Sequence, residues 1–167
     1  MRGVGRATAT LRDVPVRDPS WSAHARAVLE DAGHRRGGAR DEVIDLLATQ
    51  SCALSAQDID VALRTRGRSV GRASIYRALE TLADYGLVKR LDVGRAEACY
   101  EPAQPGGHHH HHVVCEVCGD LAAFDDPDLE AAIARLGTRL GMRIADHDVL
   151  LRGTCRRCAA LASPPAP

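Results

Sequence analysis

Gly106-Gly107-His108-His109-His110-His111-His112-Val113-Val114-Cys115-Glu116-Val117-Cys118-Gly119 is the stretch on which the reading of this chain turns. A C-x-x-C supplies two thiolates that can close on one metal ion, and a second pair must complete the shell. Cys155-Arg156-Arg157-Cys158 is that pair, with 36 residues between Cys118 and Cys155. Two such pairs predict a closed, tetrahedral, structural zinc site on Cys115, Cys118, Cys155 and Cys158.

The histidine run raises a separate question. If His108 to Val114 is a β-strand, successive side chains alternate between its faces. His110 and His112 then point one way, and His109 and His111 the other. One strand would offer a pair of imidazoles to each of two metal sites. An expression tag would sit at a terminus, whereas this run is internal. A solvated metal-scavenging tract is the other rival, and the Val-Val-Cys that follows at once speaks against it.

With 167 residues the chain has room for one ordinary domain or two small ones. Formal net charge is zero, so bulk electrostatics imply no partner. Residues 1–104 carry 16 basic and 14 acidic side chains, and residues 105–167 carry 6 and 8, too small an asymmetry to argue from. Aromatic residues are 3% of the chain, so the core must be Leu, Val, Ile and Ala, and so small a core in each half would benefit from a metal staple. No apolar run approaches the ~20 residues of a membrane span. Met1-Arg2-Gly3-Val4-Gly5 leads into no apolar signal region, so a cytoplasmic protein is expected, where paired C-x-x-C motifs favour zinc thiolates over disulfides.

Residues 1–19 show no periodicity and read as a disordered arm; a basic tail on DNA phosphates is the alternative. Trp21, Ala25, Val28, Leu29 and Ala32 follow helical spacing and Gly33 stops the helix. A basic connector, His34 to Arg40, leads to a second helix on Val43, Leu46 and Leu47, ending near Gln50. Ser55 with Asp58 resembles a capping box that opens a third helix on Ile59, Ala62 and Leu63. Ser69 is placed to cap a fourth, from about Gly71 to Tyr85, which buries Ile75, Ala78, Leu79 and Leu82 before Gly86. Its other face carries Arg72, Ala73, Tyr76 and Arg77, and is expected to be exposed. A short turn, a second helix and an arginine-bearing outer face describe a helix-turn-helix, and a hairpin over residues 87–101 supplies a wing. An ordinary solvated face is the bland alternative, but a tyrosine among arginines suits base and sugar contact better.

Pro102 to Gly107 is the internal Pro/Gly cluster and the expected hinge. Beyond it come the histidine strand, the C-x-x-C turn and a strand over Leu121 to Phe124. Asp126-Pro127 then opens a helix to about Leu140, with Leu129, Ile133 and Leu136 inward. A last strand, Met142 to Arg152, delivers Cys155 and Cys158, and residues 161–167 read as a disordered tail. The organisation expected is α+β: a winged helix-turn-helix domain over 20–101, a hinge over 102–107, and a small α/β domain with the four-cysteine site over 108–160.

From about Gly33 to Cys158 the chain resembles the ferric-uptake-regulator superfamily of bacterial metal sensors. The markers are Leu54-Ser55-Ala56-Gln57-Asp58, then Gly71 with Ala73-Ser74-Ile75-Tyr76-Arg77, then Gly86-Leu87-Val88. The histidine run into C-x-x-C-G, and His147 before Cys155 and Cys158, complete the set. The resemblance implies a C-terminal dimerisation domain and a homodimer that represses metal-homeostasis operons by binding palindromic double-stranded DNA operators when metal is loaded. It implies structural zinc on the four cysteines and a regulatory site, for zinc or ferrous iron, on Glu101, His110 and His112. It also implies a further site on His109, His111, Glu130 and His147, and DNA contacts from Arg72, Ser74, Tyr76 and Arg77. Neither a membrane nor a small-molecule substrate is implied.

Ala53 and Ala123 stand where some members place metal ligands, and Lys89 stands where actinobacterial-type zinc-uptake regulators place an aspartate. The cysteine those regulators carry just before the histidine run is absent, yet the five-histidine run itself is closest to them. Cys99 shares a strand face with Glu101 and is either an extra ligand or a core cysteine. With Ala53 and Ala123 unable to help, three or four ligands suit zinc better than six-coordinate ferrous iron. The alternatives are an iron-responsive or peroxide-sensing repressor using iron at the same ligands, and a constitutive DNA-binding protein whose metals are all structural. The enzyme alternatives fit less well. An oxidoreductase needs one low-pKa thiol pair at a helix N-terminus, and neither pair here visibly opens a helix. A zinc hydrolase needs a general base beside an open metal position.

Overall fold

Packing of the first four helices follows from their apolar stripes. The computed structural model describes residues 20–50, 52–94, 97–103 and 110–162. Helix α1 (Ser20–Asp31) buries Trp21, Ala25 and Leu29, one residue per turn of the same face. Helix α2 (Ala39–Ala48) buries Val43, Ile44, Leu46 and Leu47. Strand β1 (Leu54–Ser55) runs directly into α3 (Ala56–Thr65), where the Ser55 hydroxyl accepts from the Asp58 amide and the Asp58 carboxylate accepts from the Ser55 amide. That reciprocal box satisfies two amides the helix leaves open. Helix α4 (Arg72–Asp84) buries Ile75, Ala78, Leu79 and Leu82 against the same core.

One cap differs from expectation. Gly71, not Ser69, is the N-cap of α4, and no side chain caps it. Since the helix begins at Arg72, the Ser69 hydroxyl stands too far upstream to reach its first free amides.

Trp21 joins the two ends of this unit. Its indole Nε1 donates to the Leu87 carbonyl at 2.9 Å, across 66 residues of sequence. Trp21→Ala is expected to cost about 3–5 kcal/mol, because it opens a large cavity in the core and removes one of two donors to that carbonyl, which also accepts from the Ala103 amide at 3.0 Å. Urea unfolding followed by circular dichroism is the check, since the substitution removes the chain's single tryptophan.

Strands β2 (Val88–Leu91) and β3 (Cys99–Pro102) pair antiparallel, with β1 on the far side of β3, in the order β1-β3-β2. The register sets Lys89 opposite Glu101. Pro102, expected in the hinge, closes β3; residues 104–109 lie outside the described residues.

The second sheet comprises β4 (His111–Cys115), β5 (Leu121–Phe124) and β6 (Leu150–Gly153), in the order β5-β4-β6. Strands β4 and β5 are antiparallel neighbours across the C-x-x-C turn. Strands β4 and β6 are parallel, so a crossover must join the sheet's two edges. Helix α5 (Pro127–Leu140) lies in it, capped by Asp126, opened by Pro127 and ended by Gly141 in the left-handed region at φ 64.

Three expectations for this half need correction. Residues 142–149 are irregular, and strand pairing covers only Leu150–Gly153, which β4 can match in register. Leu136 does not point inward. It is 40% exposed, Leu129 and Ile133 are half-buried, and only Gly137 of α5 is fully covered. Gly137 permits the Met142–Ile144 segment to cross there, since a Cβ would sit 2.9 Å from the Met142 carbonyl. Finally, the second cysteine pair does open a helix, α6 (Arg156–Ala162), which also carries the chain past residue 160.

Candidate metal centres and DNA-facing surface

Among the described residues three groups of ligand side chains bring their donor atoms within 4.8 Å of one another. The first is Cys115, Cys118, Cys155 and Cys158. Register explains it: Cys115 ends β4 opposite Gly153 of the parallel strand β6, so the residues following both strands emerge side by side. Gly119, at φ 73, completes the turn that folds Cys118 back, and its amide donates to the Cys115 carbonyl at 2.7 Å.

The donor chemistry fits zinc. Cys118 Sγ and Cys155 Sγ are 3.8 Å apart, about the edge of a tetrahedron with metal–sulfur bonds of ~2.3 Å. Amides of Cys118 and Cys155 donate to Cys115 Sγ and, outweighing its burial, bring that thiol down to about 6. The Asp120 amide and the Arg157 side chain likewise lower Cys118. Cys158 is pushed up to about 12 by its hydrogen bond to Cys155 and by burial. Thiols this close, with one lowered and another raised, share negative charge that a divalent cation would relieve.

The second group crosses between the sheets. Glu101 Oε2 on β3 lies 2.9 Å from His110 Nε2 and 3.1 Å from His112 Nε2. Glu101 and His112 are each 5% exposed. Burial pushes the Glu101 carboxyl up, but hydrogen bonds from His110 and His112, and their charge, bring it down to about 2. The carboxylate is thus already ionised and aimed, as a metal ligand must be.

On the opposite face of β4, His111 Nε2 lies 2.7 Å from Glu130 Oε1, and His147 Nε2 lies 3.2 Å from Glu130 Oε2. Glu130 is on the first turn of α5, so the crossover helix closes this third group. Alternation along the strand therefore sends His110 and His112 to one cluster and His111 to the other. His109 lies outside the described residues. Cys99 is in none of the three groups. It is 1% exposed and packs with Ala53 and Val93, as the core reading has it.

The outer face of α4 is only partly as expected. Arg72 and Arg77 are exposed, and Ser74 is half-buried and accepts from Arg77 Nη2 at 3.2 Å. Tyr76, expected to stand exposed, is half-buried against the core. Burial and the neighbouring Glu97 carboxylate, its hydrogen-bond partner, raise its phenol, which stays protonated. Sequence reasoning also passed over Asp60. It is 4% exposed, accepts from Arg64 Nε at 2.8 Å and pairs with Arg72 at 3.5 Å, holding two arginines at one end of α4. The i, i+4 spacing of Asp60 and Arg64 was the available signal.

A winged helix-turn-helix joined to a small α/β unit, with ligand clusters in and beside the joint, defines the class of metal-responsive DNA-binding regulators. The chain belongs to the ferric uptake regulator family, whose model matches residues 31–152. It is 35% identical to the ferric uptake regulation protein of Neisseria meningitidis over 135 residues, 80% of this chain and 92% of that one. It is also 35% identical to the zinc uptake regulation protein of Mycobacterium tuberculosis over 130 residues, covering 78% and 98%. The crystal structure of the Vibrio cholerae ferric uptake regulator superposes with a TM-score of 0.68 at 27% identity, over 78% of this chain and 98% of that chain. The protein is thus a metal-responsive transcription regulator of this family rather than an enzyme, although Cys155 and Cys158 do stand at a helix N-terminus. No helix among the described residues is long and apolar enough to cross a membrane.

Proposed function

We propose that this chain is a zinc-dependent repressor that binds palindromic operators of metal-homeostasis genes as a homodimer. Zinc on Cys115, Cys118, Cys155 and Cys158 is structural; Glu101, His110 and His112 form the regulatory site; and His111, Glu130 and His147, with His109, form the third. The observation that carries the reading is Glu101. It belongs to the sheet of the DNA-binding unit, yet its carboxylate meets the imidazoles of His110, just before β4 of the other sheet, and His112, on it. A bound divalent cation supplies a charge that draws these three donors to one point.

The rest falls to the chain's own residues. Holding Glu101 to His110 and His112 restricts rotation of one sheet against the other, which favours one spacing of two α4 helices on successive major grooves. Reversing a two-state hinge from 1:99 to 99:1 takes about 5.5 kcal/mol of differential binding, well within the ~10–16 kcal/mol of zinc sites in peptides. Zinc is favoured over ferrous iron because Ala123, opposite His112 in register, and Ala53 add no donor, so the set suits four-coordination. The homodimer is supported by Leu136, Leu140, Met142 and Ile144, apolar side chains that α5 and the segment after it leave exposed.

A duplex selected from a random library with zinc-loaded protein tests the reading. Binding should rise with zinc, reverse with a chelator too weak to strip the four-cysteine site, and respond far less to ferrous iron. Zinc-independent binding would refute it. Arg77→Ala should weaken binding to the selected duplex by about 1–3 kcal/mol, as for a lost base contact. Circular dichroism, dimer mass and zinc content should not move, and an unchanged affinity would remove α4 from the interface.

A further inference from the structure

The Glu101–histidine cluster is not alone in spanning the two sheets. Val93, in the turn after β2, is 2% exposed and sits in a seam with Ala53 and Cys99, against Leu121 of β5 and Leu150 of β6. Its carbonyl accepts from Arg152 Nη1 of β6 at 2.9 Å. The guanidinium lies so close over Gly94 that a Cβ there would meet Arg152 Cζ at 2.9 Å. Gly94, at φ 73, is what lets the turn accept it. A second link runs from Lys89 of β2, which ion-pairs with Asp148 just before β6. Lys89 is the cross-strand partner of Glu101, and Asp148 lines the same groove of about 210 Å³ as His110 and His112. None of Arg152, Lys89 and Asp148 is in a ligand cluster.

Apolar contact in the seam holds the sheets together but leaves their relative rotation soft. Hydrogen bonds and ion pairs are directional, and these two grip the β2–β3 hairpin at separate points, its turn and its strand. We propose that Arg152, together with the Lys89–Asp148 pair, positions the DNA-binding unit independently of metal and so sets the metal concentration at which the operator is bound. The proposal rests on the metal-dependent DNA binding argued above. Because the tie holds β2 and β3, it presents Glu101 to His110 and His112 in advance. Apparent affinity scales with the fraction of molecules already competent, so preorganisation lowers the zinc needed. Lys89 has a rival role, as a bare positive charge that repels a cation from Glu101. The two roles give opposite signs: loss of a tie raises the zinc midpoint, and loss of a repelling charge lowers it.

The test uses the full-length dimer and zinc alone, with two readouts. The first is the zinc midpoint for binding the selected duplex. Arg152→Ala should raise it about three- to tenfold, the net scale of one hydrogen bond. Lys89→Ala and Asp148→Ala should each raise it about two- to fivefold, as for a part-exposed ion pair. The exchanged pair, Lys89→Asp with Asp148→Lys, should recover most of the loss. The second readout needs no DNA: hydrogen exchange at Gly94 and its neighbours, with the regulatory site stripped, should quicken in Arg152→Ala. Unchanged midpoints, opposite shifts for Lys89→Ala and Asp148→Ala, or unchanged exchange in Arg152→Ala would each overturn the tie. Wild-type protein that binds the duplex without regard to zinc would instead sink the functional reading, while the exchange experiment still judges the tie.

Discussion

Cys115→Ser is expected to give a monomeric chain whose DNA-binding unit is folded and whose second unit is not. The two halves differ in how they are held. Trp21, Ile44, Leu46, Leu47, Ile59, Ile75, Leu79 and Leu82 are all fully buried in one continuous core that involves no ligand residue. Among the described residues beyond 110 the buried apolar side chains are Val114 and Ala123, beside Cys115 and Cys158. That is too little apolar surface to offset the entropy of ordering two strand pairings and two helices. Zinc-thiolate binding, ~10–16 kcal/mol in peptide sites, would then be folding energy for that half, comparable with the whole stability of an ordinary domain, about 5–15 kcal/mol. Cys115 is the most exacting position, since it ends β4 and accepts the Cys155 amide at 3.3 Å. Trp21 is a convenient reporter of the first half: its emission should stay that of a buried indole while zinc is lost and sedimentation shows a monomer. A zinc-free Cys115→Ser protein that still sediments as a folded dimer would overturn this account, and with it the structural role of the cluster.

Where the chain's pattern is local, sequence and structure agree closely. The Ser55–Asp58 box, the α4 stripe, the Asp126-Pro127 start of α5 and strand β5 are each set by residues within a few positions of one another. Alternation along one strand was enough to assign His110 and His112 to one face and His111 to the other. Long-range terms account for what was missed. Nothing near Tyr76 shows that Glu97, in the hairpin, will take its hydroxyl, so its half-burial was illegible. Leu136 has the spacing of an inward residue, yet it is 40% exposed, and helical periodicity cannot say whether an apolar side chain is covered within the same chain. Met142 to Arg152 is expected to be one strand, yet β4 pairs only with residues 150–153. Nothing in the sequence ties Arg152 to Val93 or Lys89 to Asp148, and only the meeting of two sheets brings them together.

Substituting the histidines one at a time should separate them by face rather than by depth. His110→Ala and His112→Ala remove donors that meet Glu101, so zinc should no longer bear on the relation between the sheets. Operator affinity in zinc should fall to that of chelated wild-type protein, while dimer mass and circular dichroism stay unchanged. His111→Ala and His147→Ala act on the cluster around Glu130, which lies wholly in the second unit. They should lower the thermal midpoint or the dimer affinity and spare most of the zinc response. His109→Ala should follow His111→Ala by the same alternation. If the histidines only packed the core, the damage would follow burial. His111, 1% exposed, would be worst, then His112 at 5%, and His110, with 15% of its side chain exposed, would be mildest. The two orders differ most sharply at His110, the least buried of the three and a predicted full loss of zinc response. A zinc titration of operator binding for each single variant, beside its melting curve, decides between them. If His110→Ala titrates like wild type while His111→Ala does not, the two-faced strand is wrong and the regulatory site lies elsewhere.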